Sequence, residues 1–123
     1  MFKKLSSGGT LIVEVPHARD FLLTVAENEP YKNFTLWSQH LILHTRESLN
    51  LFLRAAGFEE ILISGVQRYS IGNHFNWMIE GKPGGHKTLI SEIEKPNLKN
   101  AYAEALAVVD RTDTLFAVCR KPL

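Results

Sequence analysis

The chain has 123 residues, a single cysteine, and 14 basic against 13 acidic side chains, for a formal net charge of +1. That length suits one domain with a core that needs no staples. The balanced charge leaves no basic excess for a phosphate backbone, no apolar run approaches a membrane span, and one cysteine excludes an internal disulfide framework. Nucleic acid and membrane are therefore not expected as partners, and a reducing cytoplasm is the expected setting. Cys119 itself reads as a small apolar strand residue. Met1 to Ser6 opens like a secretory signal, but Ser6-Ser7-Gly8-Gly9 stands where its apolar core should follow.

Met1 to Leu5 reads as the last turn of a helix ended by Gly8-Gly9, two residues that turn the chain at little steric cost. Thr10 to Val15 is the first expected strand, apolar on both parities apart from Glu14 and so expected to be covered on both faces. Pro16 supplies no donor and stops the ladder. Asp20 is a candidate N-cap for a short helix over Phe21 to Ala26. Glu27 to Phe34, with Asn28, Pro30 and Asn33, reads as a loop. Thr35 to His44 is ambiguous between an extended piece and a helical turn.

Thr45 is an N-cap and Glu47 suits the first turn of a helix. Leu49, Phe52, Leu53 and Ala56 recur at i, i+3, i+4 and i+7, and Gly57 ends the stripe. Phe58 to Val66 is the second strand. Gln67 to His86 is rich in glycine, aromatics and amides and reads as a long polar loop. Pro96-Asn97 opens a helix to Asp110 whose apolar face, from Leu98 through Leu106 to Val109, reads as core scaffold. Thr114 to Cys119 is the third strand. Strands alternating with helices argue an α/β sheet, and strands joined through a helix are normally parallel.

Three segments share a resemblance. Leu5-Ser-Ser-Gly-Gly-Thr-Leu-Ile-Val-Glu-Val-Pro-His resembles the "pGG"-strand-"E-x-P" region of Rossmann-like S-adenosylmethionine-dependent methyltransferases. Gln39-His40-Leu41, Thr45, Ser48-Leu49, Leu53 and Ala56-Gly57-Phe58 are similar to that family's last crossover helix entering strand six. Asp113 to Val118, with Arg120-Lys121, resembles its closing antiparallel strand. The resemblance implies an α/β fold that is a partial Rossmann-like sheet, strands five, six and antiparallel seven with flanking helices, the last strand lying between the other two. It also implies the C-terminal portion of a methyltransferase domain over residues 1–123, with S-adenosyl-L-methionine as cofactor; the amides, Arg and aromatics of Gln67 to Trp77 suit a polar small-molecule acceptor, sugar-like or an acyl amide. The family's glycine-rich cofactor loop has no counterpart: Gly81 to Gly85 does not follow an apolar strand. The cofactor-binding half is thus expected to be absent and the chain inactive by itself. Thr10 to Val15 is expected to expose a strand edge through which two copies could pair. The alternative is a non-enzymatic α/β interaction or dimerisation module.

Ligands of open α/β sheets sit beyond the carboxyl ends of the strands. Glu14 and His17 follow the first strand there, and Gln67, Arg68 and Tyr69 follow the second. His40 is the catalytic candidate, because methyl transfer often needs a base for the acceptor's proton and imidazole titrates near neutrality. In related sugar C-methyltransferases a His-Glu-His segment serves; here it reads Ser38-Gln39-His40, with Gln39 in place of the acid. Gln67, Arg68, Tyr69, Asn73 and His74 are the further acceptor-binding candidates, since amides and Arg bind hydroxyls or carboxylates and Tyr stacks on rings. Phe75 and Trp77 read as a covering lid. His40 and His44 are four apart, but no third ligand follows and no metal site is expected. No G-x-S-x-G occurs, which removes the α/β-hydrolase reading.

Overall fold

A computed structural model describes residues 1–37 and 40–123. Three strands form the sheet: β1 (Thr10–Pro16), β2 (Glu59–Val66) and β3 (Thr114–Arg120). Their order is β1-β3-β2, and β3 is antiparallel to both neighbours. β1 and β2 therefore point the same way without touching. The general preference for parallel strands across a helix fails for β2 and β3. The central placing of an antiparallel third strand is the one the resemblance implies.

Six α-helices accompany the sheet among the described residues: α1 (Phe21–Thr24), α2 (Glu29–Thr35), α3 (Arg46–Ala55), α4 (Ile71–Glu80), α5 (Leu89–Ile93) and α6 (Pro96–Val108). α3 begins where the sequence says. Thr45 accepts from the Ser48 amide while the Ser48 hydroxyl accepts from the Thr45 amide, a reciprocal cap. Gly57 ends it at a φ of 92°, a left-handed conformation that glycine takes freely. None of the helices is long and apolar enough to cross a membrane.

Two expected loops are helical. In Glu27 to Phe34, Asn28 and Pro30 act as helix starters: the Asn28 side chain accepts from the Tyr31 amide and Pro30 occupies the first turn. In Gln67 to His86, Ser70 caps α4 by accepting from the Asn73 amide, and Gly81 closes it in a left-handed turn. The polar composition hid this helix because its buried face is made of Gly72, His74, Asn76 and Trp77.

Burial is one-sided. Leu115, Ala117 and Cys119 of β3 pack with Leu49 and Leu53 of α3 and with Phe58, flanked by Leu11, Val13, Val15, Ile61 and Ile63. The alternation of strand side chains puts the opposite parity on the other face. There Ile12 is 60% and Leu62 70% exposed, both in register with Val118. β1 is therefore covered on one face only, contrary to its apolar appearance. α6 also departs from expectation: Leu106 is its one buried residue, and Val109 just beyond it is 57% exposed. A second cluster of Leu22, Tyr31 and Trp77 joins α1, α2 and α4. It stands at the end of the sheet where β1 and β2 finish and β3 starts.

Candidate functional site

A cavity of about 380 Å³ opens at that end. Its floor comes from the ends of the strands, with Glu14, Val15 and Pro16 of β1, Arg68 and Tyr69 just past β2, and Asp113 and Thr114 at the start of β3. One wall is aromatic, made by Tyr31 and Phe34 of α2 with Trp77 of α4. Trp77 meets Tyr31 edge-on and Phe34 at a tilt, each with ring centroids 5.1 Å apart. His40 and Asn73 complete the polar lining.

His40 carries the most usable chemistry. Its Nδ1 lies 3.0 Å from the Thr35 carbonyl oxygen, which can only accept, so Nδ1 bears the proton. In the neutral ring Nε2 then keeps its lone pair. That is the tautomer a general base requires. Thr35, fixed at the end of α2, thus orients the ring.

Opposite charges meet on the floor. Arg68 Nη1 lies 3.0 Å from Glu14 Oε1, joining the ends of β1 and β2. Both side chains remain substantially exposed, so the pair adds little stability but sets the direction of two charged groups lining the cleft. Asp113 fixes the backbone beneath Arg68. Its carboxylate accepts from the Arg68 amide at 3.1 Å, the Tyr69 amide at 3.0 Å and the Thr114 hydroxyl at 2.7 Å. Burial pushes its pKa up despite these bonds.

Glu14, His40, Arg68, Tyr69 and Asn73 therefore come together in the cleft. His17, Gln67 and His74 lie behind it. His17 is wholly buried and donates from Nδ1 to the Thr112 carbonyl at 2.9 Å. Among the described residues its Nε2 has no hydrogen-bond partner, and it stands 3.7 Å from Asp110. Burial lowers its pKa, partly opposed by Asp110. Gln67 spends its amide internally, accepting from the Asp113 amide and donating to the Tyr69 carbonyl. His74 is buried between Phe21, stacked on it, and Tyr102, whose hydroxyl is 2.7 Å from Nδ1. Burial pulls its pKa down to about 4. Gln39 lies outside the described residues. Trp77 belongs to the cavity wall, and Phe75 does not line it.

Tyr31, Phe34, Thr35 and Asp113 were not singled out by the sequence reading, yet all line the cleft. Only the cap pattern Asn28-Glu29-Pro30 could have revealed α2, and with it the first three. Behind the wall, Tyr31 donates to Asp20 at 2.8 Å. Asp20 also caps α1 through the Leu22 amide at 2.6 Å, and burial raises its pKa to about 6.

The described residues do not fit S-adenosylmethionine. A nucleoside site of that kind needs a strand feeding a glycine turn whose backbone faces the ligand. Gly81 caps α4, and Gly85 is pressed against α4, where an added Cβ would run into Asn73 Cα and the Gly72 carbonyl. That glycine serves close backbone packing and leaves no cradle.

No protein-family profile matches the chain, and no curated protein matches it. Among solved structures it is similar to the crystal structure of a SAM dependent methyltransferase from Archaeoglobus fulgidus, at 14% identity and a TM-score of 0.48. The likeness covers 96% of this chain and 47% of that one, so the chain spans about half the length of that structure. Fold likeness alone assigns no substrate.

Proposed function

We propose that this chain forms the acceptor side of an S-adenosylmethionine-dependent methyltransferase and holds a polar, sugar-like small molecule in the cleft. The observation that carries the reading is the run of β3, antiparallel, between β1 and β2, the arrangement expected of the family's closing strands. Within the cleft the residues divide the work. His40 Nε2 takes the proton of the acceptor's reacting group. Glu14, Arg68 and Asn73 hydrogen-bond its polar substituents, and the aromatic wall excludes water from one side. The cofactor is not held by these residues, and the chain by itself is inactive in this reading.

The test is a proton NMR titration of the His40 ring with a panel of sugars, hydroxy acids and amides. At least one acceptor is expected to shift the His40 ring protons and the Asn73 amide saturably, and Arg68→Gln is expected to weaken that binding. A panel that leaves both signals unmoved would refute the reading. The second reading, a dimerising module, is favoured by the open face at Ile12 and Leu62 beside the free edge of β1. It requires self-association without any ligand.

A further inference from the structure

A second cavity, of about 450 Å³, adjoins the first. The two share Arg68, Tyr69, Asn73 and Pro83, so they are lobes of one depression. Their chemistry differs. The first lobe sets Glu14 against Arg68 and carries the aromatic wall. The second adds Lys99 from α6, His86 from the turn before α5, and the hydroxyls of Ser70 and Ser91. Among the described residues neither Lys99 nor His86 has a carboxylate within 4.0 Å. Glu94 also lines this lobe, its Oε1 accepting from the Ile71 amide at 3.1 Å. Arg68, Lys99 and His86 thus line one space with the Ser70 hydroxyl, and among the described residues Lys99 and His86 have no carboxylate partner.

From this convergence we propose that the second lobe binds an anionic group of the acceptor, a phosphate or a carboxylate, through Arg68, Lys99 and His86. The inference rests on the reading of the first lobe as the acceptor cleft and narrows the acceptor to an anionic one. Arg68 stands between the lobes and is the hinge of the assignment: pairing with Glu14 on one side, it presents its remaining donors to the other. The anionic group then fixes the far end of the acceptor, and the reacting group lies toward His40.

The lobe is tested without any methyl transfer. The isotopically labelled chain is titrated with inorganic phosphate, glucose 6-phosphate and glucose, and amide shifts are followed. Both phosphate compounds are expected to shift Ser70, Gly84 and Ser91 saturably, and glucose is expected to leave them in place. Lys99→Gln is expected to weaken phosphate binding at least about tenfold, the scale of one lost charged hydrogen bond. Lys3→Gln, remote from the lobe, is expected to change nothing. The inference is overturned by unsaturable shifts, or by equal weakening in the two lysine variants, which would mean diffuse charge attraction. Its failure is distinct from that of the cleft: the His40 ring protons report the first lobe separately, and their response to a neutral acceptor survives loss of the anion site.

Discussion

Two buried groups near the cleft titrate abnormally and in opposite senses, and that opposition can be separated experimentally. Asp20 is raised from 3.8 to about 6 by burial. A raised carboxyl favours the folded state while protonated, so its contribution is complete below the unfolded value and is lost as pH rises through about 6. His74 is lowered from 6.5 to about 4, also by burial. Its neutral form favours the folded state, so its contribution is complete above 6.5 and is lost as pH falls through about 4. Each displacement is worth roughly 3 kcal/mol. Between about pH 4 and 6.5 the two largely cancel in the unaltered protein. Asp20→Asn keeps an acceptor for the Leu22 amide and removes the titration. That variant is expected to lose about 3 kcal/mol more than the parent on acidification across this window. His74→Gln is expected to gain stability on acidification instead. Urea unfolding followed at half-unit pH steps measures both. His17 and Asp113 remain in every variant and drop out of the differences. Parallel pH profiles for the parent and Asp20→Asn would refute the reasoning, since Asp20 would then titrate alike in the folded and unfolded chains.

Gly85→Ala is expected to destabilise the protein by about 1–3 kcal/mol in thermal unfolding, because the added methyl meets the backbone of α4. Thr45→Ala is expected to cost about 1 kcal/mol through loss of the reciprocal cap on α3. Sedimentation equilibrium at rising concentration is expected to show self-association, and Ile12→Lys, on the open face of β1, to abolish it. Ideal monomer behaviour of the unaltered chain would contradict that expectation.

The sheet was legible in the sequence because its strands are short β-branched runs bounded by glycine, proline and charge. α3 was legible because a cap, a stripe and a terminal glycine agree along one segment. α2 and α4 were not, for a shared reason. Their start signals, Asn28 with Pro30 and Ser70, are also the residues of turns. Their buried faces use tyrosine, histidine, asparagine and tryptophan rather than an aliphatic stripe. Hiding those two helices hid the aromatic wall of the cleft. The candidates Glu14, His40, Arg68, Tyr69 and Asn73, none of them buried, could be read from their positions near strand ends and in polar segments. The two histidines that the structure buries could not be told apart from them, because burial is decided by partners distant in sequence: Thr112 for His17, and Tyr102 for His74. Asp113 reads in the sequence as the polar end of a turn, whereas its carboxylate binds the backbone leading out of β2.

The central claim is that these residues carry an acceptor cleft and no cofactor site. Calorimetric titration of the folded chain with S-adenosylmethionine, alongside its thermal unfolding, tests it most directly. A cooperative unfolding transition with no saturable heat of binding is the result expected. Micromolar binding to the same sample would contradict the account, because the chain would then build a nucleoside site from residues assigned here to packing.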